Sequence, residues 1–177
     1  TEGTGSVSPE AAQIKQWRAE PWTFAHQVLC VDELDDWQDE TMHALVESQL
    51  MRFALKASKG PGKSALLAMI MWWFMVTRPM PKIVATSITA DNLSDNLWTE
   101  LAKWQQRSRF LKATFEWTAD RVAARQHRET WWMSARPWAK SASQEVLGQT
   151  LAGIHADHVL FVLDESGGIP SAVMSAA

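Results

Sequence analysis

The sequence predicts an α/β layered fold with a mainly parallel sheet and helices on both faces. Three observations carry this. Strand-type and helix-type patterns alternate along the chain. A glycine-rich turn, residues 57–64 (ASKGPGKS), stands between an expected strand and a wholly apolar helical stretch. Near the end, His158–Leu163 (HVLFVL) is a six-residue apolar run of the kind found in buried parallel strands.

Residues 1–9 (TEGTGSVSP) are small and polar and read as a loose tail, with one domain over residues 10–177. A first helix starts near Pro9, whose fixed φ suits a first turn, and carries Ala12, Ile14 and Trp17. Pro21–Val31 reads as a second helix. The acidic run 32–40 (DELDDWQDE) follows, in which Asp35 or Asp36 can cap a third helix striped by Met42, Leu45, Val46 and Leu50. Arg52–Ala57 is an expected strand and Lys63–Thr77 an expected helix. That helix is apolar on every side (LLAMIMWWFMV), so it belongs between layers, and Arg78-Pro79 ends it. Lys82–Ser87 reads as a strand. Asp91 can cap a helix striped by Leu93, Leu97, Trp98, Leu101 and Trp104. Shorter strands are expected around Thr114–Trp117 and Thr130–Ala135.

Composition narrows the class. At 177 residues and 46% hydrophobic, the chain can bury one real core. A single cysteine, Cys30, allows no internal disulfide and fits a reducing compartment. The longest apolar run, Ala65–Val76, is too short to cross a bilayer. Thr1 in place of a methionine reads as a processed or cut start. The net charge of -3 does not point to nucleic acid, but its distribution is uneven. Residues 1–50 carry 2 basic and 10 acidic side chains, whereas residues 101–140 carry 9 basic and 3 acidic. The second segment reads either as a phosphate-contacting surface or as a solvated face.

The turn 57–64 matches the end of the pattern G-x-x-x-x-G-K-[ST], with Ala57 at the position of the usual first glycine. Backbone N–H groups of such a turn, those of Ser58, Lys59, Gly60 and Gly62 on either side of Pro61 and leading into the helix, cradle phosphates, and the helix dipole favours their charge. Gly60 and Gly62 permit the close backbone approach that a side chain would block. Lys63 reaches the β- and γ-phosphates, and Ser64 offers a hydroxyl to Mg²⁺. About 100 residues on, Asp164 and Glu165 close the apolar strand at its carboxyl end, the edge where ligands bind in open α/β sheets. Asp164 there can hold Mg²⁺, and Glu165 can deprotonate an attacking water. An acid next to the Mg²⁺ ligand distinguishes ATP-hydrolysing proteins from nucleotide kinases. The expected cofactors are ATP and Mg²⁺.

Four stretches together resemble the large terminase subunit, the motor that packages DNA into viral capsids. Trp37-Gln38 resembles the family's adenine-reading Q motif, ASKGPGKS its variant phosphate loop, and residues 84–101 (VATSITADNLSDNLWTEL) its second strand and following helix. Residues 141–170 (SASQEVLGQTLAGIHADHVLFVLDESGGIP), with Gly153 and His155, resemble its approach to the catalytic strand. The resemblance covers residues 37–170. It implies the N-terminal ATPase domain of that family, a P-loop NTPase of the ASCE, RecA-like kind. Gln38 would be the adenine contact, Lys63 the phosphate lysine, Ser64 and Asp164 the Mg²⁺ ligands and Glu165 the catalytic base. It implies double-stranded DNA, a portal protein and a small terminase subunit as partners. It also implies a homo-oligomeric ring, no membrane, and the cytoplasm of an infected bacterial host. A coupling strand and a nuclease domain would lie beyond Ala177, so that this chain is truncated after its catalytic strand.

Several readings stay open. Lys59 stands where the family often has an arginine, and lysine lacks the planar fork of a finger. Arg107, Arg109, Arg121, Arg125 and Arg128, with Arg136, are candidates for a finger acting on a neighbouring subunit or for DNA contact. Gln38 is either a base contact or a first-turn surface residue, Trp37 a packing residue, and His155 a hydrogen-bonded turn residue. No spacing suggests a structural metal or a nucleophilic triad. A helicase-like or repair ATPase with the same core, and a non-catalytic nucleotide-binding module, remain as alternatives.

Overall fold

Ser8 opens the ordered chain: its hydroxyl accepts the Ala11 N–H at 3.2 Å, and Pro9 takes the first helical position of α1 (Pro9–Ala19). The computed structural model describes residues 8–48, 53–55, 62–87, 93–118, 121–136 and 153–164. Ser8 and Pro9 thus belong to the helix rather than to the tail expected over residues 1–9, and residues 1–7 lie outside the described ones. Helix α2 (Pro21–Gln27) is shorter than the expected 21–31. Cys30 adopts a positive φ of 55°, which turns the chain so that the Val31 N–H returns to the Ala25 carbonyl at 3.1 Å. Val28, Leu29 and Val31 are buried by that turn.

Helix α3 (Asp36–Glu47) has Asp35 as its N-cap, as the acidic run suggests. Helix α4 (Lys63–Thr77) has the predicted bounds, and Arg78 after it is extended with ψ 148°. Its burial explains its composition. Trp73 Nε1 donates to the Trp17 carbonyl of α1 at 2.7 Å, and Trp72 Nε1 donates to the Leu101 carbonyl at 3.1 Å. The α4 carbonyl of Met75 accepts Trp131 Nε1 at 2.8 Å. The indole N–H groups of Trp72, Trp73 and Trp131 each reach a backbone acceptor, which offsets the cost of burying them, whereas that of buried Trp104 has no partner among the described residues.

The sheet comprises β1 (Lys82–Thr86), β2 (Phe115–Trp117), β3 (Arg121–Ala124), β4 (Trp132–Ala135) and β5 (Val159–Leu163), in the order β2-β3-β4-β1-β5. Strands β4, β1 and β5 run parallel, with Val84 between Ser134 and Phe161. Strands β2, β3 and β4 pair antiparallel. The sheet is therefore mixed, not mainly parallel, and the cause is β3, a strand the sequence reading did not find. RVAA is short and weakly apolar, but it pairs antiparallel with β2, and the Thr118 N–H donates to the Arg121 carbonyl at 2.8 Å where the two strands meet.

Between β1 and β2, a π-helical turn (Leu93–Trp98) leads into α5 (Thr99–Arg107) and α6 (Arg109–Thr114). One straight helix was expected here; the wider turn still keeps Leu93, Leu97 and Leu101 buried together. Asp91, its expected cap, lies outside the described residues.

One sheet face, with Ile83, Ala85, Val122, Ala124, Met133 and Val162, shares a core with α2, α3, α4, α5 and α6. The other carries a smaller cluster of Val84, Ala123 and Trp132, to which no described helix contributes. Helical cover on both faces is thus not seen among the described residues. Nor is the strand expected over Arg52–Ala57: of it only Phe53–Leu55 are described, they form no strand, and Phe53 and Leu55 are 41% and 36% exposed. Without a neighbour in the ladder, an apolar stretch has no backbone reason to be a strand, and among the described residues β5 pairs with β1 alone.

Candidate functional site

Gly62 is the N-cap of α4 and holds φ +118°, a backbone state L-residues rarely adopt. Its carbonyl accepts the Leu66 N–H at 2.9 Å and begins the helix. Lys63 and Ser64 follow in the first turn, both partly buried. The backbone amides of this turn have no intrahelical acceptor, and 15 aligned residues of α4 place positive potential there. Ser58, Lys59, Gly60 and Pro61 lie outside the described residues.

The short connection from Thr77 to Lys82 returns α4 to the start of β1, so its N-terminus points back toward the carboxyl edge of the parallel strands. Asp164 stands at that same edge. It is 8% exposed, and its N–H continues the β1–β5 ladder onto the Thr86 carbonyl at 2.9 Å. Glu165 lies outside the described residues. Ser87, which sequence reasoning passed over as the end of a strand, is fully buried at this edge, and its hydroxyl has no hydrogen-bond partner among the described residues. Only the position after a strand that ends beside Asp164 could have drawn attention to it. Thr86 Oγ1, by contrast, donates to the Arg136 carbonyl at 2.7 Å. Ser64, Asp164 and Ser87 carry hard oxygens of the kind that suit Mg²⁺, which keeps most of its waters. Among the described residues, no group of three or more His, Cys, Asp or Glu side chains is placed to hold a metal.

Gln38, expected either as a base contact or as a first-turn surface residue, is not a surface residue and lies against the start of α4. It is 5% exposed. Its Oε1 accepts the Asp35 N–H at 3.2 Å, and its Nε2 donates to the Gly62 carbonyl at 3.3 Å. Trp37 packs partly buried against the core. His155 is exposed, and its carbonyl accepts Lys82 Nζ at 3.0 Å.

The arginines divide by geometry. Arg125 donates to the Ala113 and Lys112 carbonyls, each at 3.2 Å, and to Glu116 Oε2 at 3.1 Å; Arg128 Nε pairs with the other oxygen of Glu116. Arg125 is thus a clamp between β3 and the α6–β2 segment. Both arginines sit on the β3–β4 turn, at the sheet edge opposite Asp164. Arg121 begins β3 at the Asp164 edge, three strands from β5, or about 14 Å at ordinary strand spacing. Its guanidinium lies 4.8 Å from the Trp132 ring, with Arg136 at 5.9 Å. Arg121 and Arg128 also line an open hollow of about 240 Å³ with Thr118, Ala123 and Glu129. Arg107 lies 5.0 Å from the Trp104 ring at the end of α5, and Arg109 is exposed at the start of α6.

No described helix is long and apolar enough to cross a membrane. Comparison of the chain with protein-family models, with curated proteins and with solved structures finds no match.

Proposed function

We propose that this chain is the nucleotide-binding part of a Mg²⁺-dependent P-loop ATPase, of the kind large terminase subunits use to move DNA. The observation that carries the reading is the start of α4: Gly62 at φ +118° leads Lys63 and Ser64 into a buried helix whose N-terminus faces the sheet edge holding Asp164. That arrangement supports phosphate at the helix terminus, with Lys63 on the outer phosphates and Ser64 and Asp164 on the metal. Bound Mg²⁺ would neutralise charge developing between the β- and γ-phosphates.

In this reading Glu165 orients a water and takes its proton as the water oxygen attacks the γ-phosphorus. The bond from the γ-phosphorus to the β-phosphate oxygen breaks, and ADP and inorganic phosphate leave. Coupling to double-stranded DNA, assembly into a ring and contact with a portal and a small subunit follow from the sequence resemblance. Arg107, Arg109 and Arg121 remain candidates for the DNA or trans-acting roles, whereas Arg125 already has three acceptors within its own chain.

The test separates binding from chemistry. Glu165→Gln removes the proton acceptor and keeps the shape, so Mg²⁺-ATP binding persists while phosphate release falls by about a hundredfold or more. Equal loss of binding and turnover would make Glu165 structural and remove the hydrolytic step.

A further inference from the structure

The start of α3 lies directly on the start of α4. A Cβ built on Gly62 would meet Trp37 Cζ2 at 3.1 Å, Gln38 Nε2 at 3.2 Å and Asp35 Oδ2 at 3.9 Å. Gln38 fills this junction and uses both ends of its amide, one on the Asp35 N–H and one on the Gly62 carbonyl. A glutamine that reads adenine needs both ends for the base. Here that would strip two hydrogen bonds from a buried site, leaving the Asp35 N–H without its side-chain acceptor.

We propose that Gln38 is a positioning residue for the phosphate-binding turn, acting through the Gly62 peptide and not by reading the base. The peptide is planar, so fixing the Gly62 oxygen fixes the Lys63 N–H on its far side. That N–H is one of the helix-terminal amides that an anion would accept from. At a glycine with φ +118° the backbone has little steric guidance of its own, and the Gln38 amide together with the Leu66 N–H supplies it. Asp35, Trp37 and Gln38 thereby couple the N-terminus of α3 to whatever occupies the turn.

The inference deepens the proposed nucleotide site and rests on it, and its test separates the two. Mg²⁺-ATP, Mg²⁺-GTP and inorganic tripolyphosphate are titrated into the 177-residue chain, into Gln38→Ala and into Gln38→Glu. The glutamate keeps an oxygen for the Asp35 N–H, as in an ordinary capping box, but loses the donor to Gly62. Both variants should lose affinity for all three ligands by one common factor, about three- to tenfold for one lost hydrogen bond. The loss in Gln38→Glu should persist at high salt, where its added charge is screened. Without ligand, amide exchange at Leu66, whose N–H donates to the Gly62 carbonyl, should quicken in both variants. A loss confined to ATP, or unchanged affinities, would overturn the proposal. If Gln38→Ala does not fold, Gln38→Glu decides alone. If the unaltered chain binds none of the three, the nucleotide reading fails. Exchange at Leu66 then still decides whether Gln38 positions this turn, and an unchanged rate would overturn it.

Discussion

Arg78 lies 4.0 Å from the Trp73 ring and 4.4 Å from the Phe74 ring, and its Nη1 donates to Thr77 Oγ1 at 2.8 Å. Burial, and secondarily the charge of Arg18, lower its pKa from the ordinary arginine value to about 10. The sign follows directly. A cation whose folded pKa lies below its unfolded value costs stability wherever it is charged in both states, and that cost is relieved as pH rises from about 10 toward the ordinary arginine value. At neutral pH the whole cost is present. Arg18→Glu replaces the repulsive part with attraction, so the melting temperature at pH 7 should rise by about 1–3 °C, and by less in 1 M salt. An unchanged or lower value would show that Arg18 does not act on Arg78. None of this was legible in the sequence, where Arg78 reads only as the residue before a proline. The use of both ends of the Gln38 amide was equally hidden. Its partners are backbone groups, and backbone groups leave no mark in sequence.

At the scale of elements, legibility tracked how strongly one force dominated. Helix α4 has the expected bounds because its apolar surface, the Gly62 start and the Arg78-Pro79 stop agree. Strand β5, an unbroken apolar run, was likewise plain. β3 was missed because four residues with two alanines carry almost no pattern; they are placed by antiparallel pairing with β2. The π-helical turn was invisible because a spacing of four leucine-bearing positions suits an α-turn as well. The start of α4 yields a prediction of its own. Gly62→Ala forces a side chain into a positive-φ state and against Trp37 and Gln38. It should destabilise the chain by about 1–3 kcal/mol, lowering the melting temperature by roughly 3–10 °C. A thermal midpoint equal to that of the parent would mean that neither the φ nor the close approach constrains this position.

At the scale of the molecule, the alternation of strands and helices correctly implied an α/β fold, although the five strands seen include the unexpected β3 and the described helices cover one face of the sheet where two were expected. It overstated the parallel character, because antiparallel β2 and β3 extend the sheet on one side. The charge asymmetry was real in sequence, yet part of the basic segment is spent internally: Arg125 and Arg128 share Glu116, and Arg107 and Arg121 lie against indoles. Sequence counts charges but cannot see which are already paired. What the fold does keep together is the α4 N-terminus and the carboxyl edge of β1 and β5, and the account stands on phosphate binding there. Calorimetric titration of Mg²⁺-ATP into the chain and into Lys63→Ala tests this most directly. The account predicts saturable one-site binding that weakens by about tenfold or more in Lys63→Ala, with an unchanged circular dichroism spectrum, since charge-assisted contacts to phosphate are lost and the core is not touched. Equal affinity in the two proteins, or no binding by the unaltered chain, would contradict it.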